Sequence, residues 1–194
     1  SGVYRLVDLA PHEAKPQSLG SQDTEIDHSI AQGMLVTLGN TYGYETFVPS
    51  HDQTTREFQG SKLGNLVTVG QCTAIFQGPN LARAREIDVM WFDEDDYGLF
   101  PVYAFEVEHT TRVKEGMDRL LKIPRRYKTR LFVIAPTEAE QMLFQQFVSQ
   151  TPFRSYGDAF SCRLYAELQS LYNAAISHRI ERERFGLVER HRMV

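Results

Sequence analysis

The chain is poor in cysteine and has no long apolar run. Its two cysteines, Cys72 and Cys162, lie far apart in 194 residues, and no Cys-x-x-Cys pair exists. This argues against a thiolate zinc site and a disulfide framework, and implies a reducing, cytoplasmic setting. No stretch approaches the roughly 20 apolar residues that span a bilayer, and no signal peptide is recognised, so no membrane partner is expected. A Gly-x-Ser-x-Gly elbow is missing, as is a phosphate-binding glycine loop, which sets aside the common serine-hydrolase and nucleotide-binding patterns. Excess positive charge is missing too. The 21 Lys and Arg are outnumbered by 25 Asp and Glu, for a formal charge of −4, which runs against a uniformly basic nucleic-acid binder. The positive charge is instead clustered. Residues 119–130 hold six Lys or Arg and no acid, whereas residues 178–192 mix Arg with Glu.

The remaining composition, 42% hydrophobic and 24% charged, is that of a soluble globular domain with enough apolar material for a sizeable core. Residues 1–20, with Pro11, Pro16 and Gly20, read as an arm or linker, and 21–194 as one domain. The chain opens Ser1-Gly2 rather than Met, and is read as excised from a larger protein whose other domains supply partners.

Residues 24–39 predict a helix, with Ile26, Ile30, Met34 and Leu38 on one face and Thr24 or Asp23 as its cap. Tyr44 to Val48 predicts a strand. The polar, glycine-bearing stretch 50–80 gives no clear period, and Leu63 to Val69 fits a strand or a short helix. Glu86 to Phe92 and Pro101 to Glu108 have strand composition and are joined by a short acidic break, Asp93 to Asp96, read as a solvated hairpin tip. A helix follows from Thr110, with Val113, Met117, Leu120 and Leu121 on one face, and ends at Pro124. Arg130 to Ala135 predicts a strand buried on both faces. Helices are expected at 138–149 and 164–180. A strand–helix–strand unit over 102–135 implies parallel pairing, so the fold class is α/β with a central mixed sheet flanked by helices.

The chemistry concentrates on Asp88, Glu106 and Glu108. Strand side chains alternate faces, so Glu106 and Glu108 point one way, and a regular hairpin sets Asp88 near Glu106. Three carboxylates on one face repel, and burying them unpaired is costly. A hard divalent cation is the natural compensation, and such an ion activates water and stabilises an in-line phosphodiester displacement. The same acids splayed onto opposite sides, or sealed by an Arg or Lys clamp, would argue against hydrolysis.

The segments EIDVMW and FEVEHTT resemble the core motif of PD-(D/E)XK, restriction-endonuclease-like nucleases: an Asp, a gap, then Asp/Glu-x-Lys on the next strand. Asp88 matches the first acid and Glu106 the middle one. Glu108 stands where Lys is usual, a Glu-x-Glu variant. The resemblance covers roughly residues 24–135. It implies a Mg²⁺-dependent endonuclease, with Mn²⁺ substituting, acting on nucleic acid, expected to be duplex DNA in a restriction or defence setting, and a homodimer that reaches both strands. Asp88, Glu106, the Val107 carbonyl and Glu25 are the implied metal ligands. Glu108 or a displaced Lys114 is the implied water-activating group, and His28, Gln32 and His109 are orienting candidates. Arg112, Arg119, Lys122, Arg125, Arg126 and Lys128 are the expected phosphate contacts, whose binding would weaken steeply with salt. The missing Lys equally admits a module that keeps the fold for nucleic-acid binding or assembly. A third reading is an α/β domain whose acids are structural.

Overall fold

Two apolar layers sandwich a five-stranded mixed sheet. The computed structural model describes residues 27–72, 79–109 and 112–187; the arm at 1–20, the Thr24 and Asp23 caps and Glu25 lie outside that range. In chain order the elements are α1 (His28–Thr41), β1 (Glu45–Phe47), α2 (Ser50–Thr55), β2 (Glu57–Phe58), β3 (Ser61–Lys62), two 3₁₀ segments (Leu63–Asn65 and Pro79–Glu86), β4 (Val89–Asp95), β5 (Gly98–Val107), α3 (Val113–Leu120), a 3₁₀ turn (Arg125–Tyr127), β6 (Arg130–Ala135), α4 (Glu138–Val148), a 3₁₀ segment (Phe153–Ala159), β7 (Phe160–Leu164) and α5 (Tyr165–Phe185). The sheet order is β1-β4-β5-β6-β7. β1–β4 and β4–β5 are antiparallel, and β5–β6 and β6–β7 parallel. The expected mixed α/β sheet is therefore present.

Alternation along the strands sorts the core. Met90, Phe92, Ala104, Leu131 and Val133 pack with Val113, Met117 and Leu120 of α3 and Phe144 of α4. Val89, Trp91, Phe105 and Ile134 face the other way, against Leu35 and Leu38 of α1 and Leu168 and Tyr172 of α5. Trp91 meets the polar demand of its buried indole by donating to the Leu35 carbonyl at 3.1 Å. β5 is central, and its C-terminal end is where Asp88, Glu106 and Glu108 gather.

Several boundaries differ from the sequence expectation. Asp27, one residue before α1, is its N-cap, accepting from Ile30 N at 2.8 Å. Asp88 is not mid-strand: β4 begins at Val89. A β2–β3 hairpin occupies part of the stretch that had no period. A whole strand, β7, precedes the last helix, pairing Leu131 with Phe160 through Ala135 with Leu164.

Candidate active site

The hairpin register sets the geometry. Val89 pairs with Phe105, so Asp88, one residue before the strand, falls opposite Glu106. By alternation Asp88, Glu106 and Glu108 lie on the α3 side of the sheet. The Asp88 side chain continues the ladder that its backbone leaves, accepting from Val107 N at Oδ2 across 2.8 Å. Glu108 N donates to Ile134 O at 2.9 Å, toward β6. The polar groups of Val107, its carbonyl included, therefore face the Asp88 edge. All three acids are buried: Asp88 is 8%, Glu106 0% and Glu108 5% exposed.

Burial and crowding disfavour the charged forms. The Glu106 carboxyl is pushed well above the ordinary range, first by desolvation and then by Asp88, with Arg119 opposing and Glu108 adding to the rise. Glu108 rises to about 7, again mainly through burial, with Arg119 and His28 lowering it and Asp88 and Glu115 raising it. The Tyr165 hydroxyl, which donates to the Glu108 carbonyl at 2.6 Å, is also raised by burial and then by Asp88 and Glu108.

Arg119 is the main departure from expectation. Its Nε donates to Glu106 Oε1 at 2.9 Å, and a second guanidinium nitrogen meets Oε2, a bidentate pair. Arg119 was expected on phosphate and Glu106 free for a metal; instead each holds the other. The reason is local. Val113, Gly116, Met117 and Leu120 form the buried face of α3, and Arg119 lies beside that face, three residues on from Gly116. A Cβ at Gly116 would stand 2.3 Å from Glu108 Oε1 and 3.2 Å from Glu106 Cβ, so a larger residue there would displace the Glu108 carboxylate. Lys114 is exposed, about 200° around the helix from Gly116. A displaced-Lys role is thus not supported, and the cation beside the acids is Arg119. Asp88 and Glu108, by contrast, carry no Arg or Lys clamp among the described residues.

The α1 candidates do gather here. His28 Nε2 lies 3.5 Å from Asp88 Oδ1. Gln32 Nε2 donates to the Asp88 carbonyl at 3.1 Å and to Asp52 Oδ2 at 2.8 Å. Asp52 also pairs with Arg56 at 3.0 Å. Sequence reasoning missed Asp52, Arg56, Gly116 and Tyr165. His109 is exposed just beyond the end of β5.

The expected phosphate contacts divide. Arg112 pairs with Glu115 at 3.9 Å on the surface. Lys122 lines a cleft of about 390 Å³ with Arg119, Arg83, Glu86, Glu115 and Asp118, joined to the acids through Arg119. Arg125 sits over the Tyr156 ring at 4.0 Å and donates to Ser155 O and Oγ, so it ties two turns together rather than standing free. Arg126 donates to Tyr127. Lys128 adopts a left-handed backbone, φ 54°, near Arg130, which pairs in register with Tyr103. That is four residues, or about 13 Å, up β5 from Val107, so this basic cluster is not contiguous with the acids.

Raised acids make a pH prediction. The folded state keeps a proton on Glu108 up to about 7, whereas the unfolded chain releases it near 4.5. Stability from this group is therefore complete below about 4.5 and is lost as pH climbs through about 7. Thermal melts in EDTA should show the midpoint falling across that window, with a shallower fall in Glu108→Gln. Parallel slopes would contradict the assignment.

The Asp88 carboxylate and the Val107 carbonyl, with the Glu106 carboxylate beside them, are hard oxygens around a site that disfavours its own negative charge, and they suit a divalent cation. Such a sheet, flanked by helices and carrying its acids at the end of the central hairpin, is a restriction-endonuclease-like core. The family model for the C-terminal domain of the Type II restriction enzyme NmeDI matches residues 8–183, and the chain belongs to that family. No curated protein and no solved structure matches it.

Proposed function

We propose that this domain is a metal-dependent endonuclease of the PD-(D/E)XK type, in its Glu-x-Glu variant, hydrolysing phosphodiester bonds in duplex DNA in a restriction or defence setting. The carrying observation is the convergence of Asp88, Glu106 and Glu108, with Asp88 anchored on Val107 N at 2.8 Å. Family membership supports the setting.

Asp88 and the Val107 carbonyl would hold Mg²⁺, or Mn²⁺ in its place. Glu106 would join them by exchanging its Arg119 partner, since either cation meets the need of a buried carboxylate for opposite charge. When bound, the ion supplies Lewis-acid stabilisation of the phosphate and a more acidic water. Glu108 accepts the proton: a carboxylate raised to about 7 is matched to proton transfer at neutral pH. Arg119 and Lys122 line the adjoining cleft and face the DNA backbone. Further domains of the same polypeptide and a second subunit supply recognition and the second strand, in a cytoplasmic setting. Among the described residues no helix is long and apolar enough to cross a membrane.

A second reading is favoured by Arg119's grip on Glu106 and by the lack of a Lys beside the acids among the described residues. It is a nuclease fold kept for nucleic-acid binding or assembly. Incubating the protein with duplex and single-stranded substrates in Mg²⁺, Mn²⁺ and EDTA separates the two. Cation-dependent cutting of duplex supports the first reading. DNA binding without cutting under any cation establishes the second.

A further inference from the structure

Beside the three acids lies a second polar cluster, at the junction of α1, α2 and the entry to β4. His28, Asp52 and Asp88 each offer one ligand atom, and these atoms lie within 4.8 Å of one another. Donors set opposite each other on an ion with bonds of about 2.1 Å stand about 4.2 Å apart, so the cluster is nearly closed to coordination distance. His28 and Gln32 are one turn apart on the same face of α1. The Gln32 amide is wedged between the two acids, donating to Asp52 Oδ2 and the Asp88 carbonyl.

Two atoms point to a ligand. Gln32 is 0% exposed, and its Oε1 has no hydrogen-bond partner among the described residues; His28 Nε2 is buried and likewise lacks one. Buried polar atoms are almost always satisfied, so Gln32 Oε1, and one turn away on α1 His28 Nε2, which meets Asp88 Oδ1 at 3.5 Å without forming a hydrogen bond, leave an unmet polar demand beside this pair of acids. Arg56 offsets one negative charge, through Asp52 Oδ1 at 3.0 Å, and also reaches Ser29 Oγ at 3.2 Å. The second charge, on Asp88, meets His28 and the Val107 amide directly.

We infer that His28 Nε2, Gln32 Oε1, Asp52 and Asp88 Oδ1 form a second cation site of mixed nitrogen and oxygen donors, taking a first-row divalent transition ion. An imidazole in the set selects Mn²⁺, Co²⁺, Ni²⁺ or Zn²⁺ over Mg²⁺ or Ca²⁺, which prefer oxygen alone. The site shares Asp88 with the proposed hydrolytic centre but does not require cleavage.

The test is Mn²⁺ titration of the full chain, with free Mn²⁺ counted by EPR and the His28 ring followed by NMR. In wild type, the His28 signals broaden at substoichiometric Mn²⁺, and excess Mg²⁺ does not restore them. His28→Ala and Asp52→Asn each weaken this site at least tenfold, and Glu108→Gln leaves it in place. His28→Ala guards against misfolding of the Asp52 variant, which loses its Arg56 partner. Two ions in wild type and one in His28→Ala support both sites. One ion that is sensitive to His28→Ala supports the second site while removing support for the hydrolytic one. Ion binding indifferent to His28→Ala, a His28 ring undisturbed by Mn²⁺, or no bound ion overturns the inference.

Discussion

Asp88→Asn and Glu108→Gln are each expected to lower DNA cleavage by roughly 10²–10⁴-fold while leaving duplex binding equal to or tighter than wild type. The two substitutions act on different steps. Asp88→Asn keeps an oxygen that can accept from Val107 N, so the strand entry stays formed, but it removes the charge that would hold the cation. Glu108→Gln keeps the shape against Gly116, where Oε1 leaves no room for a Cβ, and removes only the proton acceptor. Raising the Mn²⁺ concentration should therefore recover part of the Asp88→Asn loss and none of the Glu108→Gln loss. Removing negative charge from a site that faces phosphates weakens repulsion, which is why binding should not fall. Single-turnover cleavage alongside binding in Ca²⁺ measures both effects. Unchanged cleavage in either variant would contradict the assigned roles.

Arg119→Gln is expected to be the most destabilising single polar change near the site. Glu106 is fully buried and accepts from two guanidinium nitrogens of Arg119; taking away one member strands the other. The cost at pH 8 should be about 3 kcal/mol, at the low end for buried pairs because the Arg119 side chain is 31% exposed. For a chain of this length that is a fall in Tm of about 6–12 °C. Two further signs identify the cause. The deficit should shrink as pH falls, because Glu106 can protonate instead. Saturating Mn²⁺ or Mg²⁺ should raise the Tm of Arg119→Gln more than that of wild type, since the cation then competes with nothing for Glu106. An Arg119→Gln variant as stable as wild type, or no more responsive to metal, would show that Glu106 does not exchange one counter-charge for another.

The sheet centre was legible because apolar alternation is strong there. Arg130 to Ala135 is the strand expected, and the β4–β5 register brings Asp88 opposite Glu106 as the spacing implied. β7 was not legible. FSCRL is five residues with a Ser, a Cys and an Arg, running straight into a long helix, so its period of two is swamped. Asp52 was hidden for a different reason: SHDQTT has no apolar face, and it is the Gln32 amide reaching across from α1 that gives that carboxylate a role. The Arg119–Glu106 pair was readable in principle. Gly116 and the apolar residues of α3 define its buried side, and Arg119 follows from that face, whereas the reading by charge alone assigned it to DNA together with its basic neighbours. The cluster from Arg125 to Arg130 shows the same limit. Adjacent in sequence, those residues are spent partly on Ser155, Tyr156 and Asp158, and they lie at the far end of β5 from the acids.

The most direct measurement is single-turnover incubation of supercoiled plasmid with excess wild-type protein, in Mg²⁺ and in EDTA, with the Asp88→Asn protein in parallel. The account predicts nicked and linear DNA with Mg²⁺, none in EDTA, and almost none from the variant. Plasmid that stays supercoiled under every cation although the protein binds it, or cutting that persists in EDTA, would contradict it.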